Sequence, residues 1–132
     1  MIKFAPALAA ALSLASVAAL AQTPAPSAVR TIVDRADVTA GQEAAFGRAD
    51  IPVGVTSGRH IHHGLEAAYV AEGTVELKVQ GQPDRIMKVG DTFLMRAGVP
   101  HEARSIGPGA ARIISTWIID KGKPLAEPAP AN

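Results

Sequence analysis

Gly54-Val-Thr-Ser-Gly-Arg-His60-Ile-His62-His63-Gly-Leu-Glu66-Ala-Ala-Tyr69-Val-Ala-Glu-Gly73 is the part of this chain that says most about its architecture. It carries three of the four histidines in 132 residues, together with Glu66. The fourth, His101, falls in a second glycine-bounded stretch, Gly90 to Ser105. Side chains of an extended segment alternate between two faces. If 59–63 is extended, His60 and His62 point one way and His63 the other. A turn at Gly64-Leu65 then lets Glu66 open the next strand and return to the same place. Val99 precedes Pro100 and is biased to extended geometry, which suits a strand starting at His101 and facing the first pair. Three imidazoles and one carboxylate are a ligand set for Fe, Mn, Ni, Co, Cu or Zn, whereas Mg and Ca prefer oxygen shells. With only four protein ligands, a metal that takes five or six partners keeps open positions, as catalytic sites do.

The spacing is also a family pattern. Gly54, five residues, His60, one residue, His62, three residues, Glu66, six residues and Gly73 resembles the first cupin motif at every position. Gly90, Gly98, Pro100 and His101 resemble the second, with Arg96 where proline is usual and Ser105 where asparagine is usual. These departures fall on turn and support positions and remove no ligand. The sixteen residues between Gly73 and Gly90 match the short connection of compact bacterial cupins. The resemblance covers roughly 44–119. It implies an all-β double-stranded β-helix, a jelly-roll cupin barrel with the metal inside.

The strand pattern read without the resemblance agrees. Segments 29–38, 44–53, 59–63, 66–72, 74–79, 84–89, 92–95, 101–106 and 111–119 are short, apolar or β-branched, and separated by glycine- and proline-containing turns. That pattern favours a sandwich or barrel. Pro52 suggests that 44–53 is an edge strand or carries a bulge. No window between 29 and 120 offers a long amphipathic helix.

Around this domain, 29–120, the chain reads as 1–21 signal peptide, 22–28 flexible linker and 121–132 disordered tail, the last two rich in proline and alanine. Lys3, an apolar run and Ala19-Leu20-Ala21 before Gln22 make the leader, with cleavage expected after Ala21 and a secreted or periplasmic product. Of 13 basic and 12 acidic residues, the leader removes only Lys3, leaving a mature chain of balanced charge with no basic run. Nucleic acid and, after cleavage, membrane surfaces are poor partners for it. The chain has no cysteine, so neither disulfides nor thiol chemistry contribute.

Other residues have plainer readings. His63 is expected outside the ligand set, as a solvated or supporting histidine. Tyr69, three residues after Glu66, should face outward. Arg96 and Arg104 could meet an anionic substrate near His101, but surface charge is the commoner fate. Trp117 belongs to the core or to a dimer interface, Glu72 and Glu76 to a solvated face, and Asp91 to a turn. The resemblance implies a metal-dependent enzyme acting on a small molecule, closest in type to quercetin-dioxygenase-like cupins. There His60, His62, Glu66 and His101 would hold one divalent transition metal, with Fe, Mn or Ni favoured over Zn, Co or Cu. Glu66 would double as a catalytic base. No further cofactor is expected. The alternatives are an isomerase or lyase using the same site, or a non-catalytic small-molecule-binding or sensor cupin. A homodimer is consistent with the family and with the apolar strands.

Overall fold

In the computed structural model residues 25–130 are described. The expected leader and the first residues of its linker lie outside them. The described chain contains no helix, and so none long and apolar enough to cross a membrane. Its strands are β1 Val29–Asp37, β2 Gln42–Ile51, β3 His60–Ile61, β4 Gly64–Glu72, β5 Thr74–Val79, β6 Arg85–Lys88, β7 Thr92–Met95, β8 His101–Ser105, β9 Ala111–Asp120 and β10 Glu127–Pro128. They form two five-stranded sheets, β1-β2-β9-β4-β7 and β10-β3-β8-β5-β6, in which the paired strands run antiparallel. Both lay apolar side chains between them, the arrangement of a double-sheet jelly roll.

Strict alternation drives this packing. Along β9, Ala111, Ile113, Ser115, Trp117 and Ile119 are buried while the residues between them are only partly so. In β5, Val75, Leu77 and Val79 point inward. One large apolar cluster, including Ile51, Val70, Leu77, Met87 and Ile113, fills one part of the interior. A smaller one holds Ala45, Trp117 and Ile119, with Ile32 and Leu125 packed against it.

Three expectations are revised. The segment after Gly41 is not an edge strand: β2 pairs with β1 on one side and β9 on the other, and Pro52 lies just beyond its last residue. The break after β3 falls at His62-His63, and Gly64 already belongs to β4. Glycine is required there because β9 runs so close that a Cβ would lie 1.9 Å from the Ile118 carbonyl oxygen. The tail, expected to be disordered, returns to the barrel over its described residues. Glu127–Pro128 pairs with β3, and the Ala129 amide donates to the Arg59 carbonyl at 3.0 Å. A two-residue strand framed by prolines gives no periodic signal, so composition alone misreads it.

Candidate metal centre

The two sheets bring the four expected ligands together from opposite sides. His60 in β3 and His101 in β8 are direct cross-strand partners. His62 follows β3 and keeps its alternation: His60 and His62 are buried, Ile61 and His63 only partly. Glu66 comes from β4 in the other sheet, where it pairs in register with Trp117 of β9. All four are nearly inaccessible, at 7 % exposure for His60, 1 % for His62, 5 % for Glu66 and 3 % for His101. The imidazole centroids lie 4.8 Å (His60–His62), 4.2 Å (His60–His101) and 5.1 Å (His62–His101) apart. One nitrogen from each ring can be chosen so that all three lie within 4.8 Å of one another.

Backbone carbonyls set which nitrogens these are. Nδ1 of His60 meets the Gly58 carbonyl oxygen at 2.7 Å, Nδ1 of His62 that of Leu125 at 2.5 Å, and Nδ1 of His101 that of Val99 at 2.8 Å. A carbonyl oxygen can only accept, so each Nδ1 carries the hydrogen and donates. In a neutral ring Nε2 then carries the lone pair; those of His62 and His101 turn toward Glu66, while that of His60 faces Arg30. Glu66 Oε2 lies 3.1 Å from His62 Nε2 and 3.4 Å from His101 Nε2. The Ser115 hydroxyl holds the other carboxylate oxygen, donating to Oε1 at 2.7 Å. His101 Nε2 is buried without a hydrogen-bond partner. Acceptors facing one another in a dry interior repel, so a cation, proton or metal, has to lie among them. The donor set and its carbonyl-fixed tautomers fit a transition metal.

The electrostatics agree with that fit. Burial pulls the His60 pKa down to about 3, helped by the nearby Arg30 and His101 charges, so its ring is neutral. Burial pushes the Glu66 carboxyl up, but the His101 and His62 rings beside it and the Ser115 hydroxyl on Oε1 outweigh it and hold the carboxyl below its ordinary value. His60 and Glu66 are thus poised as neutral imidazole and carboxylate.

His63 points elsewhere, its Nε2 3.0 Å from Glu127 Oε2. Tyr69 faces outward at 45 % exposure. Arg96 and Arg104 are exposed, and Arg104 donates to the Gly54 carbonyl at 3.3 Å, away from the histidines. Asp91 is a turn residue whose carboxylate accepts the Lys88 amide at 2.7 Å. Ser105 is fully buried and donates to the Gly109 carbonyl at 3.0 Å, so it does close the loop it was expected to support. Trp117 is core and also reaches the site: its indole N–H donates to His62 Nε2 at 3.3 Å.

Two groups at the site escape a reading centred on the histidines. Ser115 could have been found by alternation, being two residues from Trp117 on β9. Arg30 of β1 places a guanidinium nitrogen 3.0 Å from His60 Nε2. Its signal was an arginine in the same register as Ile32 in a β-branched strand. A small inner cavity of about 20 Å³ is lined by Arg30, His60, Glu66, His101, Phe93 and Trp117 among others. It shares Arg30, Ser57 and His60 with a concavity of about 280 Å³ that is also bordered by Glu127 and Pro128.

Comparison with known proteins gives the same architecture. A family model described as a cupin domain matches residues 47–118. No curated protein matches the sequence. Among solved structures, a recombinant oxalate oxidase in complex with glycolate is 22 % identical with a TM-score of 0.57, over 64 % of this chain and 45 % of that one. A DMSP lyase from Ruegeria pomeroyi is 20 % identical with a TM-score of 0.57, over 69 % and 44 %. An uncharacterized double-stranded β-helix protein from Klebsiella pneumoniae is 20 % identical with a TM-score of 0.60, over 76 % and 85 %. The chain spans about half the length of the oxidase and lyase structures, and at these identities the likeness is one of fold.

Proposed function

This chain belongs to the cupin family, and from that premise we propose that it is an exported metal-dependent enzyme of dioxygenase type acting on a small molecule. One divalent transition metal, Fe, Mn or Ni before Zn, Co or Cu, is held by His60, His62, Glu66 and His101. The observation that carries this reading is the set of three Nδ1–carbonyl hydrogen bonds, which leave the Nε2 lone pair of each ring facing the interior, those of His62 and His101 toward the Glu66 carboxylate. Such supporting bonds orient metal-binding histidines and raise their basicity. When bound, the metal supplies Lewis-acid or redox chemistry toward a chelated substrate. The protein's own part is to fix the three rings, exclude water with Phe93, Trp117 and the surrounding core, and provide a base. Glu66 would serve as that base on loosening from the metal: Ser115 keeps Oε1 in place, leaving Oε2 to take a proton from the substrate.

The test is elemental analysis of residues 22–132 purified without oxygen, chelator or affinity tag, followed by oxygen uptake with polyphenols and diketones. Stoichiometric Fe, Mn or Ni with substrate-dependent oxygen consumption supports the reading. Metal with turnover but no oxygen consumption replaces it with an isomerase or lyase. Unaltered bound ligand makes the chain a binding or sensor module. No metal after reconstitution refutes the site. Export is tested by the N-terminus of the secreted product, expected at Gln22.

A second copy of the chain is the partner proposed for the outer face of the β1-β2-β9-β4-β7 sheet. There Phe46, Tyr69, Leu94, Ile114 and their neighbours line a concavity of about 550 Å³ far richer in apolar than polar surface. Phe46, Tyr69 and Leu94 are 47 %, 45 % and 69 % exposed. Beside them runs a network of both signs, Arg48 and Arg112 on Asp50 and Arg112 on Glu72, which suits a self-complementary two-fold contact. Light scattering should give a dimer that Leu94→Glu converts to monomer; a monomeric wild type refutes the contact.

A further inference from the structure

The guanidinium of Arg30 has no ion-pair partner among the described residues. Arg30 lies opposite Ala49 in the β1–β2 ladder, and Ala49 is an inward, buried position. The side chain therefore enters the barrel rather than the solvent. Its Nη2 is 3.0 Å from His60 Nε2 and 3.3 Å from Nδ1. Because Nδ1 donates to Gly58, the bond that counts is the one to Nε2. That nitrogen is also the one proposed to meet the metal, and its one lone pair cannot serve both, so a bound metal would displace the Arg30 N–H and leave the guanidinium beside the coordination sphere with a free donor. No carboxylate among the described residues forms an ion pair with it. Glu66 acts on it only through its charge, and Glu127, which borders the same concavity, lies 3.0 Å from His63 Nε2 and makes no ion pair with Arg30.

Desolvating a guanidinium without an anion is costly, and proteins tolerate it where an anion arrives. Arginine is also the side chain whose planar fork matches a carboxylate. The position is right for this, since Arg30 and His60 line both the inner cavity and the concavity that adjoins it. The space is narrow, about 20 Å³ inside and about 280 Å³ outside.

We propose that Arg30 is the anion anchor of this pocket and that the substrate is a small organic acid, its carboxylate on the guanidinium and its reacting end toward His60, His101 and Glu66. This deepens the reading given under Proposed function and rests on it for the metal. It assigns recognition to a residue outside both histidine motifs and takes that role away from Arg96 and Arg104.

Acetate and its neutral counterpart acetamide are the probes, titrated at fixed ionic strength into metal-free and Co(II)-loaded protein. Trp117, the only tryptophan in the chain, reports binding by fluorescence, with its ring centroid 6.0 Å from that of His62. The Co(II) absorption band reports separately on the metal. Wild type should bind acetate saturably and at least about tenfold more tightly than acetamide, the scale of one charge-assisted hydrogen bond. Arg30→Gln should weaken acetate by at least about tenfold while leaving Co(II) content and acetamide binding unchanged. Arg30→Lys, which keeps the charge and loses the fork, should fall between them. Wild-type acetate affinity in Arg30→Gln overturns the proposal, as does a wild type that does not distinguish acetate from acetamide. Loss of Co(II) in Arg30→Gln in step with acetate also overturns it, making Arg30 a support for His60. Failure of wild type to take up Co(II), read before any anion is added, sinks the metal reading instead. The metal-free titration then decides on Arg30 by itself.

Discussion

Removing residues 124–132 should damage the metal centre as well as the fold, although none of the removed side chains among the described residues lines it. The segment supplies the Leu125 carbonyl, which fixes the His62 ring through a 2.5 Å hydrogen bond. It also supplies the Leu125 side chain packed against the cluster of Ala45, Trp117 and Ile119, and the β10 pairing on β3. Half-burial of a leucine is worth about 1 kcal/mol. The His62–Leu125 bond and the Ala129–Arg59 bond add about 1 kcal/mol each. A loss of roughly 3 kcal/mol follows, and Tm should fall by more than about 10 °C. Metal affinity should fall separately, by about 10- to 100-fold, the usual cost of losing a support to a liganding histidine. Leu125→Ala distinguishes the two effects, since it removes the packing and keeps the carbonyl: Tm should drop while affinity stays near wild type. Competition against a chromophoric chelator measures affinity and thermal melting measures stability. A truncated protein with wild-type affinity would refute the claim that the tail orients His62.

Four shorter tests bear on the rest. His60→Ala and His101→Ala should each lose most bound metal with the fold retained, whereas His63→Ala, whose ring points away from the site toward Glu127, should keep nearly all of it by elemental analysis. Gly64→Ala should destabilise by about 3 kcal/mol or more, because its Cβ would meet backbone and not a movable side chain; a chemical melt close to wild type would show that β4 and β9 can separate. In the metal-free protein His60 is neutral down to about pH 3 while an unfolded histidine takes its proton near 6.5, so the unfolded state binds more protons between those values. Stability should therefore rise with pH across that window by a few kcal/mol, be complete above it, and flatten in His60→Gln; an unchanged slope in the variant would refute the assignment. Ser115→Ala should shift acid-induced metal release to higher pH, because it removes a hydrogen bond that favours the Glu66 carboxylate.

The parts of this protein that were legible in its sequence are those in which one residue type does one job at a fixed spacing. Period-two burial in β5 and β9, and the glycines that bound the histidine stretch, follow from local rules that act on every chain. The alternation from His60 to His63 survives although β3 is only two residues long, because the side chains after it keep the same inward and outward sense. What was not legible depends on which segments meet. Arg30 is one cation among 13 Lys and Arg residues in the sequence, and only the β1–β2 register turns it toward His60. The Leu125 carbonyl belongs to no side chain at all, so no residue pattern could announce that a proline-rich tail orients His62. Pro52 misled for a related reason: an imino acid limits pairing only where its own amide would be used, and β2 ends one residue before it. The histidine spacing therefore identifies the centre, while its tuning comes from a first strand and a tail outside both motifs. If substrate choice differs between such barrels, the first place to look is the inward register of β1.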